Sequence, residues 1–194
     1  MFILPTGDFE SVTNIETGWQ IQYRPKASKK SDGLFSPILN NLSSLTYLKV
    51  EEESREENIW QLYFLNLDKF HNVNSTLRGA YTINQDLYFF ERNPDWGLQL
   101  RSRYRDNLTN QFLDADNNES RIIWDRSVQL RKQFFQRKLN VSLEYKNGLN
   151  KRRVGSLATR NRNILSQALA TSFNFRPTYE WRFQLNLEGG LEKD

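Results

Sequence analysis

The chain contains no cysteine, so it has neither a disulfide framework nor a thiolate metal site. No stretch approaches the roughly 20 apolar residues that a transmembrane helix needs. That excludes spanning by helices and leaves spanning by strands open. Phe2-Ile3-Leu4 is too short for the apolar region of a secretory leader, and no basic residue precedes it. There is one histidine, His71, and no serine or cysteine motif accompanies it. Glycine-rich phosphate loops and HExxH-type helix motifs are also missing. A lone histidine in a polar stretch reads as a solvated loop residue. These gaps point away from an enzyme and from any cofactor.

Hydrophobic residues make up 38% of the chain, low for a packed globular core, while aromatics reach 13%. Thirteen Phe, eight Tyr and five Trp dominate the apolar inventory. That balance suits a sheet whose one face meets lipid and whose other face meets water. The 27 basic and 23 acidic residues are spread along the chain and leave a net charge of +4. An excess so mild gives no reason to expect nucleic acid.

Period-two alternation is the strongest pattern present. Over 164–190, Leu165, Leu169, Phe173 and Phe175 alternate with Ser166, Ala168, Ser172 and Asn174. After Pro177, Tyr179, Trp181, Phe183, Leu185 and Leu187 alternate with Glu180, Arg182, Gln184 and Asn186. A hairpin closed at Arg176-Pro177-Thr178 would set Phe175 opposite Tyr179, Phe173 opposite Trp181 and Ser172 opposite Arg182. Over 122–145, a turn at Phe134-Phe135 would set Leu130 opposite Leu139, Val128 opposite Val141 and Trp124 opposite Tyr145. Over 81–104, a turn at Glu91-Arg92-Asn93-Pro94 would set Phe89 opposite Trp96 and Tyr81 opposite Tyr104. In all three, the apolar residues share one face.

The connections between these hairpins, at about 68–76, 107–120 and 147–163, are longer and polar, so short turns and long loops alternate along the chain. Aromatics gather near the short turns: Phe89, Trp96, Phe134, Phe135, Phe175, Tyr179 and Trp181 read as a girdle at one membrane interface. Tyr104, Trp124 and Tyr145 fall toward the other end and suit a second belt. Earlier in the chain, Trp19, Ile21 and Tyr23 form a strand ending at Pro25, and Leu45 to Glu53 forms another. Residues 26–33 read as a basic loop, 34–42 as a helical turn or irregular, and Ile59 to Leu67 as a strand or a buried helix, with the strand preferred.

Few residues suggest chemistry. Arg101, Arg103 and Arg105 project to one face with Gln99, a basic stripe able to select anions or to pair with acids such as Asp86, Asp125, Glu144, Glu180 and Glu188. Lys151, Arg152, Arg153, Arg160 and Arg162 read as a basic loop suited to lipopolysaccharide or to solvent. Aromatics do not interleave with them, which speaks against single-stranded nucleic acid. Asp114, Asp116 and Asn118 open like a calcium loop, but Glu119 stands where the loop needs glycine. A hydrophilic surface loop is the plainer reading there.

The three hairpins, their alternating connections and their aromatic turn ends resemble bacterial outer-membrane β-barrel proteins as a class. More loosely, residues 59–191 are similar to the barrel-forming C-terminal regions of large bacterial surface proteins. The resemblance implies an all-β, antiparallel up-and-down meander of about eight or nine strands, a membrane β-barrel or part of one. It implies N-terminal strands and an irregular segment over 1–58 and barrel hairpins over 59–194. It implies an outer-membrane anchor or passive channel whose partners are the lipid bilayer, lipopolysaccharide and the remaining segments of a parent protein. The missing leader and the ending Leu191-Glu192-Lys193-Asp194 suggest a fragment of that parent. A soluble antiparallel sheet acting as a binding module is the alternative, and a hydrolase built into a barrel wall is the second.

Overall fold

The computed structural model describes residues 12–25, 41–55, 71–110, 118–155 and 158–194. They form eight strands: β1 (Thr13–Tyr23), β2 (Leu42–Ser54), β3 (Thr76–Phe89), β4 (Trp96–Thr109), β5 (Glu119–Phe134), β6 (Leu139–Val154), β7 (Arg162–Phe175) and β8 (Phe183–Lys193). All eight lie in one antiparallel sheet in chain order, a plain meander. β1 and β8 are its two edges and do not pair with each other, so the sheet is not closed into a barrel. The strand expected over Ile59 to Leu67 and the loop over 26–33 lie outside the described residues, as do residues 34–40.

Successive side chains of a strand point to opposite faces. The registers therefore sort the residues into two surfaces. On one face, Trp19 pairs with Leu48, Leu48 with Ile83, Ile83 with Tyr104, Tyr104 with Trp124, Trp124 with Leu149 and Leu149 with Leu165. On the other, Asp86 pairs with Arg101, Arg101 with Ser127 and Ser127 with Lys146. The expected division into an apolar and a polar surface runs along the expected hairpins and is mixed on β2, where Leu45 and Tyr47 fall on the polar side.

The expected pairing partners are displaced. Phe175 pairs with Phe183 rather than Tyr179, Leu130 with Leu143 rather than Leu139, and Phe89 with Leu98 rather than Trp96. Each displacement is an even number of residues, so face assignment survives while partners change. The cause is in the turns. Phe135, Gln136 and Arg137 all have positive φ, at 51°, 52° and 71°, and Phe90 has φ 56°. These non-glycine residues enter the left-handed region without an Asn-Gly or Asp-Gly cue, so sequence rules do not locate the turn. The β7–β8 connection occupies 176–182, which places Tyr179 and Trp181 outside the strands.

Loop length does not sort by end as expected. The 24–41 connection shares an end with the short 135–138 turn, and the 155–161 connection at the opposite end is as short as 176–182. Lys151, Arg152 and Arg153 belong to β6 rather than to a loop, Arg160 to a 3-10 turn (Ala158–Arg160), and Arg162 begins β7.

The polar face is concave. Lys146 on β6 reaches across β7 to Glu188 on β8 at 2.9 Å. Ala168 and Ala170 on the intervening strand leave room for that contact. A cavity of about 390 Å³ is lined by residues from β1 to β5, Glu16 and Arg121 among them. Burial on the opposite, apolar face is slight: Ile15 and Leu108 are the buried hydrophobic residues among those described.

The register is directly measurable because the chain has no native cysteine. Directly opposed residues in an antiparallel pair have Cα atoms about 4.5–5.5 Å apart, within disulfide reach. Ser172→Cys with Asn186→Cys should cross-link on mild oxidation. Ser172→Cys with Arg182→Cys, the pair expected from a three-residue turn, should not.

Candidate functional site

Three features of the sheet have functional content. The first is the apolar face itself. Phe183, Leu185 and Leu187 on β8 are 56%, 52% and 56% exposed, and Leu169 on β7 is also exposed. No second layer covers them among the described residues. A sheet in water ordinarily buries one face against another layer, and covering a large apolar side chain is worth about 1.5–3 kcal/mol.

Aromatic residues mark one end of that face. Phe89, Phe134 and Phe175 are the last residues of β3, β5 and β7, and Trp96 is the first of β4. Phe135, Tyr179 and Trp181 stand in the connections beyond them, with Tyr179 96% exposed. Trp181 stacks on Phe183 at 6.2 Å, and Phe90 lies 4.2 Å from Trp96. Toward the other end, Tyr104 and Trp124 meet edge to face at 6.2 Å.

The second feature is the concave polar face with its arginine stripe. Arg101, Arg103 and Arg105 project into it from β4. Asp86 holds two of them: Arg103 Nη2 donates to Asp86 Oδ2 at 2.7 Å, and Arg101 Nε to Oδ1 at 3.4 Å. Arg105 donates to Asn107 Oδ1 and has no carboxylate partner among the described residues. Two arginines of the stripe are thus charge-paired and the third is bonded to an amide oxygen.

Of the remaining basic residues, Arg121, Arg152 and Arg162 fall opposite one another on β5, β6 and β7. Arg152 Nη2 bonds Glu119 Oε2 at 2.7 Å. Of the calcium-like residues, Asp114 and Asp116 lie outside the described residues. Asn118 lends its backbone carbonyl to Gly155 N at 3.0 Å.

The third feature is an enclosure that sequence reading missed. His71 is not a solvated loop residue. Its side chain is 16% exposed, its ring stacks on Tyr81 at 4.1 Å, and Nδ1 lies 3.8 Å from Asp106 Oδ1. Glu52 is 1% exposed. Its carboxylate accepts from the Thr76 hydroxyl and from the His71 backbone N–H. Glu52 Oε2 and His71 Nε2 have no hydrogen-bond partner, and both approach the hydrogen side of Gly79. A Cβ placed there would stand 2.5 Å from Glu52 Oε2 and 2.7 Å from His71 Nε2. The clue in the sequence was parity: Glu52 follows Leu48 and Val50 at strand spacing and so falls on the apolar face. Burial holds His71 below its ordinary value of 6.5, against a weaker upward pull from Asp106 and the Gly79 backbone.

The comparisons with known proteins find no matching family model, no matching curated protein and no matching solved structure.

Two outcomes follow from the enclosure. Gly79→Ala should cost about 1–3 kcal/mol, read as a lower denaturant midpoint, because the methyl group meets Glu52 and His71 in a filled space. The depressed imidazole contributes stability that is present above about pH 6.5 and lost as pH falls, since the unfolded chain takes up the proton first. Glu52 titrates in the same enclosure, so the unmodified chain's curve mixes the two groups. The difference between unmodified and His71→Asn midpoints from pH 8 to pH 5 isolates the imidazole. That difference should shrink toward acid.

Proposed function

We propose that this chain is a strand meander embedded in a bacterial outer membrane, a non-catalytic anchor or passive channel belonging to a larger surface protein. The observation that carries the reading is an apolar face with no covering layer among the described residues, on a sheet whose opposite face is charged and concave. Lipid acyl chains complete the first surface and water the second.

Strand length supports it. The apolar series from Trp124 to Phe134, from Leu139 to Leu149 and from Leu165 to Phe175 each run about ten residues. At about 3.3 Å per residue and a tilt of about 40–45°, such a series rises about 25 Å along the bilayer normal, the height of an outer-membrane apolar band. The aromatic ends then lie at headgroup level, where amphipathic rings favour the interface. Backbone groups along the free edges of β1 and β8 need partners in hydrocarbon. Further strands of the parent protein are the partners this reading assigns to them.

The polar face sets what a lumen would do. Arg105 has no carboxylate partner among the described residues, while Asp86 offsets Arg101 and Arg103, so a water-filled lumen would favour anions mildly. Lys151, Arg153 and Arg160 near one end offer positive charge to lipopolysaccharide.

Extraction and insertion test the reading. The chain should need detergent and should bind preformed vesicles with a blue shift in tryptophan emission. Brominated acyl chains should quench that emission. Leu185→Arg should weaken insertion by about 2–4 kcal/mol. A detergent-free monomer whose tryptophans ignore brominated lipid would instead support the soluble binding module.

A further inference from the structure

The outward apolar face carries a break in its pattern on β5. The face reads Trp124, Arg126, Val128, Leu130, with a guanidinium where an apolar residue is expected. In the pairing register, Arg126 stands between Ser102 on β4 and Asn147 on β6. An arginine that met only hydrocarbon would be costly, so its surroundings matter.

Those surroundings hold it in place. Its guanidinium lies over the Trp124 ring, 4.1 Å from the centroid. Nη2 donates to Asn147 Oδ1 at 2.5 Å. Trp124 Nε1 in turn donates to Ser102 Oγ at 3.0 Å, which fixes the ring. No carboxylate pairs with Arg126 among the described residues, so most of its N–H donors are uncommitted. Beside it, Arg126, Val128, Tyr145 and Asn147 line a groove of about 230 Å³ on the same face. One wall is apolar and one corner is cationic.

We propose that this groove binds one anionic phospholipid, with the headgroup phosphate on Arg126 and an acyl chain along Val128 and Tyr145. This rests on the membrane-embedded reading and adds a lipid class and a position to it. A planar guanidinium offers two parallel donors to phosphate oxygens and is already oriented by stacking, so little side-chain freedom is lost on binding. Trp124 beside it suits the headgroup level. The groove holds a single cation, which matches one phosphodiester. The bisphosphorylated lipid A would call for several.

The test uses the full chain, purified in detergent and placed in nanodiscs. Native mass spectrometry should find one phosphatidylglycerol retained per chain, in preference to phosphatidylcholine. Arg126→Gln should lower that retention at least tenfold, with Arg126→Lys between the two. Trp124 emission should respond to phosphatidylglycerol and not to inorganic phosphate alone. Circular dichroism checks that each variant keeps its strand content, which is expected because Arg126 is exposed. Equal retention by Arg126→Gln, equal retention of phosphatidylcholine, or stronger retention of lipid A overturns this inference and leaves the membrane reading standing. Failure of the unmodified chain to enter bilayers overturns both.

Discussion

Backbone pairing across seven strand interfaces holds this structure together. Among the described residues no packed core sits between layers. The described hydrophobic residues that are truly buried are Ile15 and Leu108, near the ends of β1 and β4. In most domains, a sheet's apolar face and a second layer share the work of stabilisation. Here the ladder runs unbroken from β1 to β8, and nothing among the described residues forms a second layer on the apolar face. In water that face would be a liability, because a broad uncovered apolar surface and free strand edges favour association. In hydrocarbon the same ladder satisfies the backbone groups between strands, and the apolar face costs nothing to expose.

The concave side follows a different logic. Large charged residues are tolerated where small ones lie between them: Lys146 reaches Glu188 over Ala168 and Ala170, and Gly148 leaves room for Asp125 and Ser166. Asp86, nearly buried, offsets two arginines at once. Such contacts bridge strands on the inside of the curve, where side chains converge. On the convex side they splay apart. On that side Thr46, Gln85 and Ser44 form a local chain of hydrogen bonds.

Several residues break the division between the faces by parity, Asp106 and Lys132 as well as Glu52 and Arg126, and the last pair contrast most. Glu52 falls on the apolar face, where His71 and Thr76 pack against it. Arg126 falls on the same face but stays exposed, held by Trp124 and Asn147. A buried polar group needs partners and an exposed cation in an apolar field needs a counter-charge. The first requirement is met by Thr76 and the His71 backbone at one carboxylate, with Oε2 left unpartnered. The second is met within the chain only in part, and that difference separates a structural feature from a binding one.

Much of the fold was legible from residue order alone. Alternation over β3 to β8 marked strands and faces, because the two-residue repeat is a local property that no turn error of even length disturbs. The grouping of Phe89, Trp96, Phe134 and Phe175 at strand ends was legible for the same reason. Pairing partners were not, because Phe90 and Phe135 to Arg137 turn through left-handed conformations that their residue types do not announce. The enclosure of Glu52 and His71 was also hidden. It brings together positions from β2, β3, β4 and a connection, and only the folded register makes them neighbours. Local chemistry therefore decided which surface each side chain belongs to. Long-range geometry decided which charges meet, and left the edges of β1 and β8 apart because closing a sheet depends on curvature summed over all its strands.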